Sequence, residues 1–294
     1  MPMATENRNP KTMSLDTMTT AEMLAVMNEE DATVPLAVRT ALPQVAELVD
    51  KTAERIRAGG KLLYVGAGTS GRLGVLDASE CVPTFGVPPT LVQGIMAGGY
   101  TALVTPVEGA EDDREAGQQA LIDANMREED TVVGIAASGR TPFVLAAVDY
   151  ANAQGVLTGG IACNVPSALL EQAQIAIGVD VGPEVLTGST RLKAGTAQKM
   201  VLNMLSTGVM VRLGKSYGNL MGDVMVTNAK LKDRAERIIA EITGVDAARA
   251  ADLLVESVQR VKVAIVMELR GVDAEKAVRL LAESDGHLRA VLNG

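Results

Sequence analysis

Two short turns rich in glycine, serine and threonine are the segments best suited to chemistry, because together they would bind an anion. The first, GAGTSGR at 66–72, follows the apolar run KLLYVG, and the second, ASGRTP at 137–142, follows TVVGIAA. Each leads into a predicted helix, whose first backbone N–H groups have no partner within the helix and attract negative charge. Neither turn has the GxxxxGK[ST] pattern of an ATP-binding loop.

A single glycine-rich turn between a strand and a helix is weak evidence, since many such turns only reverse the chain. Two turns that follow strands of one parallel sheet are more informative, because both lie at the carboxyl edge, where open α/β folds bind ligands. Arg72 and Arg140 either add positive charge there or pair with neighbouring carboxylates. We therefore predict a phosphate site with contacts from Gly68, Thr69, Ser70, Gly71, Ser138, Gly139, Arg140 and Thr141.

The elements that would position these turns alternate between strands and helices. Short apolar runs typical of buried strands lie at 61–68, 131–138, 156–163 and 174–182, and another strand is expected within 89–96. Helical patterns separate the later runs, and PFVLAAVDYANAQ is the clearest of them. This alternation predicts an α/β fold with a parallel sheet flanked by helices.

Further helices are predicted before and after the sheet region. A mobile leader of about 14 residues precedes two helical stretches between residues 20 and 58. Thr19 or Thr20 can cap the start of the first stretch, and Gly59–Gly60 ends the second. The segment TAQKMVLNMLSTGVMVRLG predicts a long core or interface helix. Two similar segments, TGVDAARAADLLVES and RGVDAEKAVRLLAES, each offer an aspartate as N-cap. They predict a small C-terminal helical bundle, used for packing or dimerisation rather than for partner binding.

The composition argues against several classes of protein. The net charge of −9 repels nucleic acid, and an aromatic share of 2% leaves few platforms for stacked bases. Cys81 and Cys163 have no CxxC spacing, so neither a metal site nor a disulfide framework is expected. The N-terminus has no secretory signal, and no apolar run reaches the ~18–20 residues of a membrane span. We expect a soluble cytoplasmic protein without nucleic-acid or membrane partners.

Longer stretches of the chain resemble a known family. The segments GAGTSGRLGVLDASECVPTFG, VEGAEDDREAG, GIAASGRTPFV and TGSTRLKAGTAQKMVLNMLSTG occur in this order and are similar to motifs of N-acetylmuramic acid 6-phosphate etherases, relatives of the glucokinase regulatory protein. The leader TENRNPKTMSLDTMTTAEMLAVMNEED is similar too. The resemblance implies a homodimer with a sugar isomerase (SIS) domain at 52–215, between an N-terminal leader with helices at 1–51 and a C-terminal helical region at 216–294.

The resemblance also implies a substrate and a reaction. A carbon–oxygen lyase without a cofactor would cleave the D-lactyl ether of N-acetylmuramic acid 6-phosphate, a step of amino-sugar and cell-wall recycling. Syn or anti elimination followed by hydration would give N-acetylglucosamine 6-phosphate and D-lactate. The glutamates of DASEC and EGAED, Glu80 and Glu111, would carry this chemistry. We assign Glu80 as the acid for lactate departure and Glu111 as the base at C2, although the sequence leaves their order open.

The position of Glu80 raises a question of reach. If a helix starts at Ser70, Glu80 lies ten residues further on, which is roughly 15 Å along the helix axis. Because a sugar phosphate spans only about half of this rise, either the helix ends early and the DASEC segment folds back, or Glu80 serves the site of the neighbouring subunit.

Other polar residues are weaker candidates. Ser189, Arg191, Lys193 and Lys199 either contact the lactyl carboxylate or phosphate or have ordinary surface and interface roles. Glu108 is a candidate for contacts with sugar hydroxyls.

Three competing functions remain open from the sequence. A sugar-phosphate isomerase on the same fold would need a single base and no site for a lactyl carboxylate. A non-enzymatic sugar-phosphate-binding regulator would bind without turnover, although relatives of that kind have two such domains in a longer chain. A DNA-binding regulator would need a basic helix-turn-helix segment, which the acidic N-terminal region does not supply.

Overall fold

The computed structural model describes residues 4–293 and divides the chain into two compact units. The first unit comprises Met1–Ala78 and Thr90–Ser206, and the second comprises Ser79–Pro89 and Thr207–Gly294. The chain passes from one unit to the other three times, and the passages after Ala78 and after Ser206 occur within helices. The predicted domain boundaries at 51 and 215 stay a prediction.

A five-stranded parallel sheet is the centre of the first unit. Its strands are β1 (Leu62–Gly66), β2 (Val92–Met96), β3 (Thr131–Ile135), β4 (Leu157–Ala162) and β5 (Ile175–Gly178), in the order β2-β1-β3-β4-β5. All neighbouring strands pair in parallel. β1, β3 and β4 are buried along their whole length, as expected for strands covered on both faces. The predicted α/β fold with a parallel sheet is therefore confirmed.

Helices connect and cover these strands. They are α1 (Thr20–Asp31), α2 (Val34–Arg39), α3 (Leu42–Arg57), α4 (Gly68–Phe85), α5 (Thr101–Val104), α6 (Arg114–Asp123), α7 (Pro142–Ala153), α8 (Ala168–Gln172) and α9 (Lys193–Arg212). Thr19 caps α1 in a capping box with Glu22, which confirms the predicted start. α7 buries Phe143, Val144 and Ala147 in the same apolar cluster as Val132 of β3. This packing fixes the start of α7 at the carboxyl edge of the sheet.

The N-terminal leader is part of the folded first unit. Residues 4–17 contain three short 3₁₀ turns, Ala4–Glu6, Pro10–Thr12 and Leu15–Thr17, and the side chains of Thr5, Asn9 and Thr12 are buried. The prediction of a mobile leader is wrong for these residues. Its polar composition suggested solvation, but the side chains of Thr5 and Asn9 are instead hydrogen-bonded to Asn164 and Glu30, which are distant in sequence.

The second unit contains the C-terminal helices and a small hairpin. Its further elements are β6 (Ser216–Tyr217), β7 (Leu220–Met221), α10 (Ala229–Thr243), α11 (Ala247–Glu256), α12 (Val261–Arg270), α13 (Ala274–Glu283) and α14 (Leu288–Asn293). Asp246 and Asp273 cap α11 and α13 through their carboxylates, as predicted. Gly244 and Gly271, in the left-handed region, end α10 and α12. Their buried apolar residues form a separate core.

Candidate functional site

A cavity of about 530 Å³ at the carboxyl edge of the sheet brings the two turns together. The lining residues are Glu6, Ala67, Gly68, Thr69, Ser70, Glu111, Asp112, Ala136, Ala137, Ser138, Arg140, Thr141, Pro142 and Thr190. They come from the leader, the end of β1, the segment before α6, the end of β3 and the segment before α9. All belong to the first unit, so the fold of this unit alone forms the cavity.

The first turn is shaped by a close approach of backbone to backbone. α4 begins at Gly68, so Thr69 and Ser70 lie in its first turn. A methyl group on Gly71 would lie 2.6 Å from the carbonyl oxygen of Gly66. Gly66, Gly68 and Gly71 have the GxGxxG spacing of dinucleotide-binding turns, in which the third glycine also lets helix and strand pack closely. Gly71 thus holds the helix start against β1 and is not among the cavity-lining residues.

The hydroxyl group of Ser70 has a partner outside the turn. Ser70 Oγ donates to Gln198 Oε1 of α9 at 2.9 Å, and both residues are buried. Thr69 is half-buried, and its methyl group would lie 3.5 Å from a methyl group on Gly195 in the first turn of α9. The starts of α4 and α9 are therefore held close together beside the cavity.

The second turn leads from β3 into α7. Ser138 Oγ accepts a hydrogen bond from the Arg140 N–H group at 3.3 Å, which leaves the Ser138 hydroxyl proton available to a ligand. Gly139 has φ +66°, and a side chain there would meet Ser167, so the backbone of the turn requires glycine. Pro142 occupies the first turn of α7, a position that suits proline because no helical N–H bond is lost there. The Arg140 side chain is exposed and lines the cavity.

Glu111 is tied to the second turn through its backbone. The Glu111 carbonyl oxygen accepts a hydrogen bond from the N–H group of Phe143 at 3.0 Å, beside the start of α7. Two residues later, Asp113 caps α6 by accepting from the Ala116 N–H group at 2.9 Å. The side chain of Glu111 is exposed and lines the cavity. The structure thus places one of the two predicted glutamates at the predicted phosphate site.

Glu80 has a different environment. It is exposed on α4, in the part of this helix that belongs to the second unit, and it is not among the residues that line the cavity. α4 continues from Gly68 to Phe85, so the possibility that the helix ends before Glu80 is wrong. Pro83 lies inside the helix near its C-terminal end, where it removes one i→i−4 hydrogen bond.

Comparisons with known proteins decide the family. The glucokinase regulatory protein N-terminal SIS domain matches residues 44–152, and the SIS domain matches residues 110–208. N-acetylmuramic acid 6-phosphate etherase 2 of Lactiplantibacillus plantarum is 54% identical over 291 residues, covering 99% of this chain and 98% of the relative. The etherase of Serratia proteamaculans is 54% identical over 290 residues, with 99% and 98% covered.

The chain belongs to the N-acetylmuramic acid 6-phosphate etherase family.

The fold of this family member has solved counterparts. The structure of a phosphoheptose isomerase from Francisella tularensis matches with a TM-score of 0.52 at 20% sequence identity, covering 66% of this chain and 100% of that chain. At this level of identity the match concerns the fold alone. It confirms the predicted sugar isomerase fold of the sheet and its flanking helices.

Several polar residues that were candidates for substrate contacts instead make contacts within the protein or lie outside the cavity. Lys193 is buried, and its Nζ lies 2.7 Å from Glu30 Oε2, so its charge is already paired. Arg72 donates to the carbonyl oxygens of Ala102 and Leu103 at 2.7 and 2.9 Å, instead of adding charge to the cavity. Glu108, Arg191 and Lys199 are exposed and Ser189 is half-buried, and none of the four is among the lining residues.

Asp77 is a buried carboxyl group three residues before Glu80. Burial raises its pKa to about 6, although Tyr64 Oη and Ser206 Oγ donate to its two oxygens at 3.0 and 3.1 Å. Its position between β1 and α9 indicates a packing role within the first unit. It does not line the cavity.

The electrostatics of the cavity in this etherase are mixed. Three lining residues carry carboxylates, Glu6, Glu111 and Asp112, and one, Arg140, carries a positive charge. Within residues 4–293 no group of three histidine, cysteine, aspartate or glutamate side chains could hold a metal ion. None of the helices described is both long and apolar enough to cross a membrane.

Three polar lining residues were not predicted from the sequence: Glu6, Asp112 and Thr190. Asp112 directly follows Glu111 in the sequence, so its place at the same cavity could have been predicted. Glu6 and Thr190 lie in segments whose similarity to the family was visible, but no spacing rule linked them to the turns.

Proposed function

We propose that this protein cleaves the D-lactyl ether of N-acetylmuramic acid 6-phosphate, giving N-acetylglucosamine 6-phosphate and D-lactate. The observation that carries the proposal is one cavity lined by both hydroxyl-rich turns and by Glu111, in a chain that is 54% identical to etherases over nearly its full length. As a carbon–oxygen lyase of this kind it would act in amino-sugar metabolism and cell-wall recycling.

The phosphate of the substrate would bind between the two turns. The first N–H groups of α4 have no partner within the helix, and the residues that carry them, Gly68, Thr69 and Ser70, line the cavity. The opposite turn adds hydroxyl and charged donors to the cavity through Ser138, Thr141 and Arg140. Gly68, Gly71 and Gly139 contribute by allowing the backbone to take these paths.

The chemistry follows from the open-chain form of the sugar. An alkoxide is a poor leaving group, but the hydrogen on C2 is acidic because C1 is an aldehyde. Glu111 would remove this proton while an acid protonates the lactyl oxygen on C3, so that the C3–O bond breaks and D-lactate leaves. Water would then add its oxygen to C3 of the unsaturated aldehyde and a proton would return to C2. The sum is substrate plus water giving the two products.

The acid would be Glu80, supplied by the second subunit of a homodimer. Two features support this assignment: α4 is continuous through Glu80, and the Glu80 carboxylate is exposed and does not line the cavity. The rise between Ser70 and Glu80 is about 15 Å for ten helical residues, longer than a sugar phosphate. A cytoplasmic location fits a phosphorylated substrate and a chain whose two cysteines are both buried.

The proposal is tested by measuring D-lactate release from N-acetylmuramic acid 6-phosphate. We expect release by the wild type and a loss of 100-fold or more, on the order of 10²–10⁴, in Glu111→Gln. Glu115→Gln is the matched control, since Glu115 is also exposed in the same segment but does not line the cavity. Its activity should stay within about twofold, and the thermal stability of both variants should be unchanged.

The same assay includes fructose 6-phosphate and glucosamine 6-phosphate as alternative substrates. Isomerisation of either one without lactate release would favour the isomerase function. Binding of sugar phosphates with no turnover would favour a non-enzymatic regulator.

A further inference from the structure

The leader forms a strap, residues 4–12, whose first attachment lies at the wall of the cavity. The Thr5 N–H group donates to Asn164 Oδ1 at 3.3 Å, and Asn164 Nδ2 donates to Thr5 Oγ1 at 2.9 Å. Asn164 Nδ2 also donates to the carbonyl oxygen of Ala137 at 3.0 Å. Ala137 lines the cavity, so Asn164 bridges the strap to the second phosphate turn.

The second attachment of the strap is a buried ionic cluster. Asn9 Nδ2 donates to Glu30 Oε2 at 2.9 Å, and the same carboxylate pairs with Lys193 at 2.7 Å and with Lys11 at 2.8 Å. Asn9, Glu30 and Lys193 are all at most 6% exposed. Breaking such a buried cluster is costly because one charge would be left without its partner. The strap is therefore fixed on both sides of Glu6.

Glu6 lies between these attachments and faces the substrate space. Its carboxylate lines the cavity and lies close to Gly188, where a methyl group would be 3.2 Å from Glu6 Oε2. Within the described part of the chain, Glu6 has no hydrogen bond or ion pair. Glu6 thus combines fixed neighbours with an exposed carboxylate at the cavity, which leaves it accessible to a ligand.

The chemistry of a carboxylate limits which group of the ligand can contact Glu6. An ionised carboxylate only accepts hydrogen bonds, and it repels the phosphate and the lactyl carboxylate of the substrate. The remaining polar groups of the sugar that donate are its hydroxyls and the N–H of its acetamido group. We propose that Glu6 is a specificity-determining residue that accepts a hydrogen bond from one of these donors. The identity of the sugar rests on the proposed function.

The test compares two ligands of the same cavity by calorimetry: N-acetylglucosamine 6-phosphate and inorganic phosphate. Glu6→Gln should weaken binding of the sugar phosphate about tenfold, because a charge-assisted hydrogen bond is replaced by a weaker one. Inorganic phosphate should bind equally or more tightly, because a nearby negative charge has been removed. Glu29→Gln, which removes an exposed carboxylate of α1 outside the cavity, should change neither affinity.

The donor is distinguished with 2-deoxyglucose 6-phosphate, which has no donor at C2. If the acetamido N–H is the partner, the effect of Glu6→Gln disappears with this ligand; if a hydroxyl is the partner, the effect persists.

Other outcomes overturn the inference. Equal weakening of sugar phosphate and inorganic phosphate would mean that Glu6 only supports the strap, and unchanged affinity for both would mean that it contacts no ligand. Neither result bears on lactate release by the wild type. Conversely, a wild type that releases no lactate but shows the expected Glu6→Gln pattern would refute the proposed function and leave this inference standing.

Discussion

At the residue scale, Glu30 is the side chain on which the N-terminal strap depends most. Burial by itself raises the pKa of Glu30, but hydrogen bonds from Lys11, Lys193 and Asn9 outweigh this effect and lower the pKa to about 2. A carboxyl group with a lowered pKa in the folded state stabilises the protein above its unfolded pKa of about 4.5. This contribution is lost as the pH falls through the folded pKa.

Glu30→Gln should therefore lower the melting temperature by an amount that depends on pH. We expect the full difference from the wild type above about pH 5 and a steady decrease toward pH 2, where Glu30 of the wild type becomes protonated too. Differential scanning calorimetry between pH 2 and 7 measures it, with Glu29→Gln as the exposed control. A difference that is constant over this range would show that the charge of Glu30 does not matter.

The residues of the two turns could be predicted because their chemistry is local. Hydroxyls and glycines between an apolar run and a helical pattern indicate an anion site without knowledge of distant contacts. The role of Lys193 could not be predicted, because its partner Glu30 is 163 positions away in sequence. For the same reason the polar leader gave no sign that Thr5 and Asn9 are buried.

At the element scale, the strands and most helix ends followed from sequence patterns. All five strands of the sheet overlap predicted runs, and Asp246 and Asp273 cap helices as expected. α4 begins at Gly68, two residues before the start at Ser70 that the sequence analysis considered, because a glycine before two hydroxyl residues gives no clear sign of a helix start. The close packing of β1 on α4 that shapes the first turn is indicated by the GxGxxG spacing of Gly66, Gly68 and Gly71, a signal that the prediction did not use.

This packing makes opposite predictions for two glycines in helix first turns. Gly71→Ala would place a methyl group 2.6 Å from Gly66 O, so we expect a loss of about 1–3 kcal/mol and weaker phosphate binding. Gly195→Ala meets only contacts of 3.5 Å and should be neutral or stabilising by up to about 1 kcal/mol. Urea unfolding and phosphate calorimetry measure both, and equal stability of the two variants would contradict the account.

At the scale of the whole molecule, the central question is how Glu80 joins Glu111. The sequence indicated both glutamates through family resemblance, but it could not show that α4 continues through Glu80. That continuity depends on tertiary contacts, because local propensity does not exclude an end near Pro83. A site shared between two subunits is the arrangement that we propose.

Mixed dimers test the sharing. Glu80→Gln and Ser138→Ala subunits should each be inactive alone, whereas a hybrid would contain one site with both groups intact. With a 1:1 mixture at equilibrium, we expect about a quarter of the wild-type activity, since half of the dimers are hybrids with one working site. Chemical cross-linking confirms that hybrids form, and hybrids without activity would place both glutamates in the same subunit.

The most direct test of the whole account is the reaction of N-acetylmuramic acid 6-phosphate in ¹⁸O-labelled water, followed by mass spectrometry of both products. Elimination and hydration predict one ¹⁸O atom at C3 of N-acetylglucosamine 6-phosphate and unlabelled D-lactate. Label in the lactate would mean that the bond on the lactyl side breaks, and it would contradict the mechanism. A substrate that stays intact would contradict the proposed function itself.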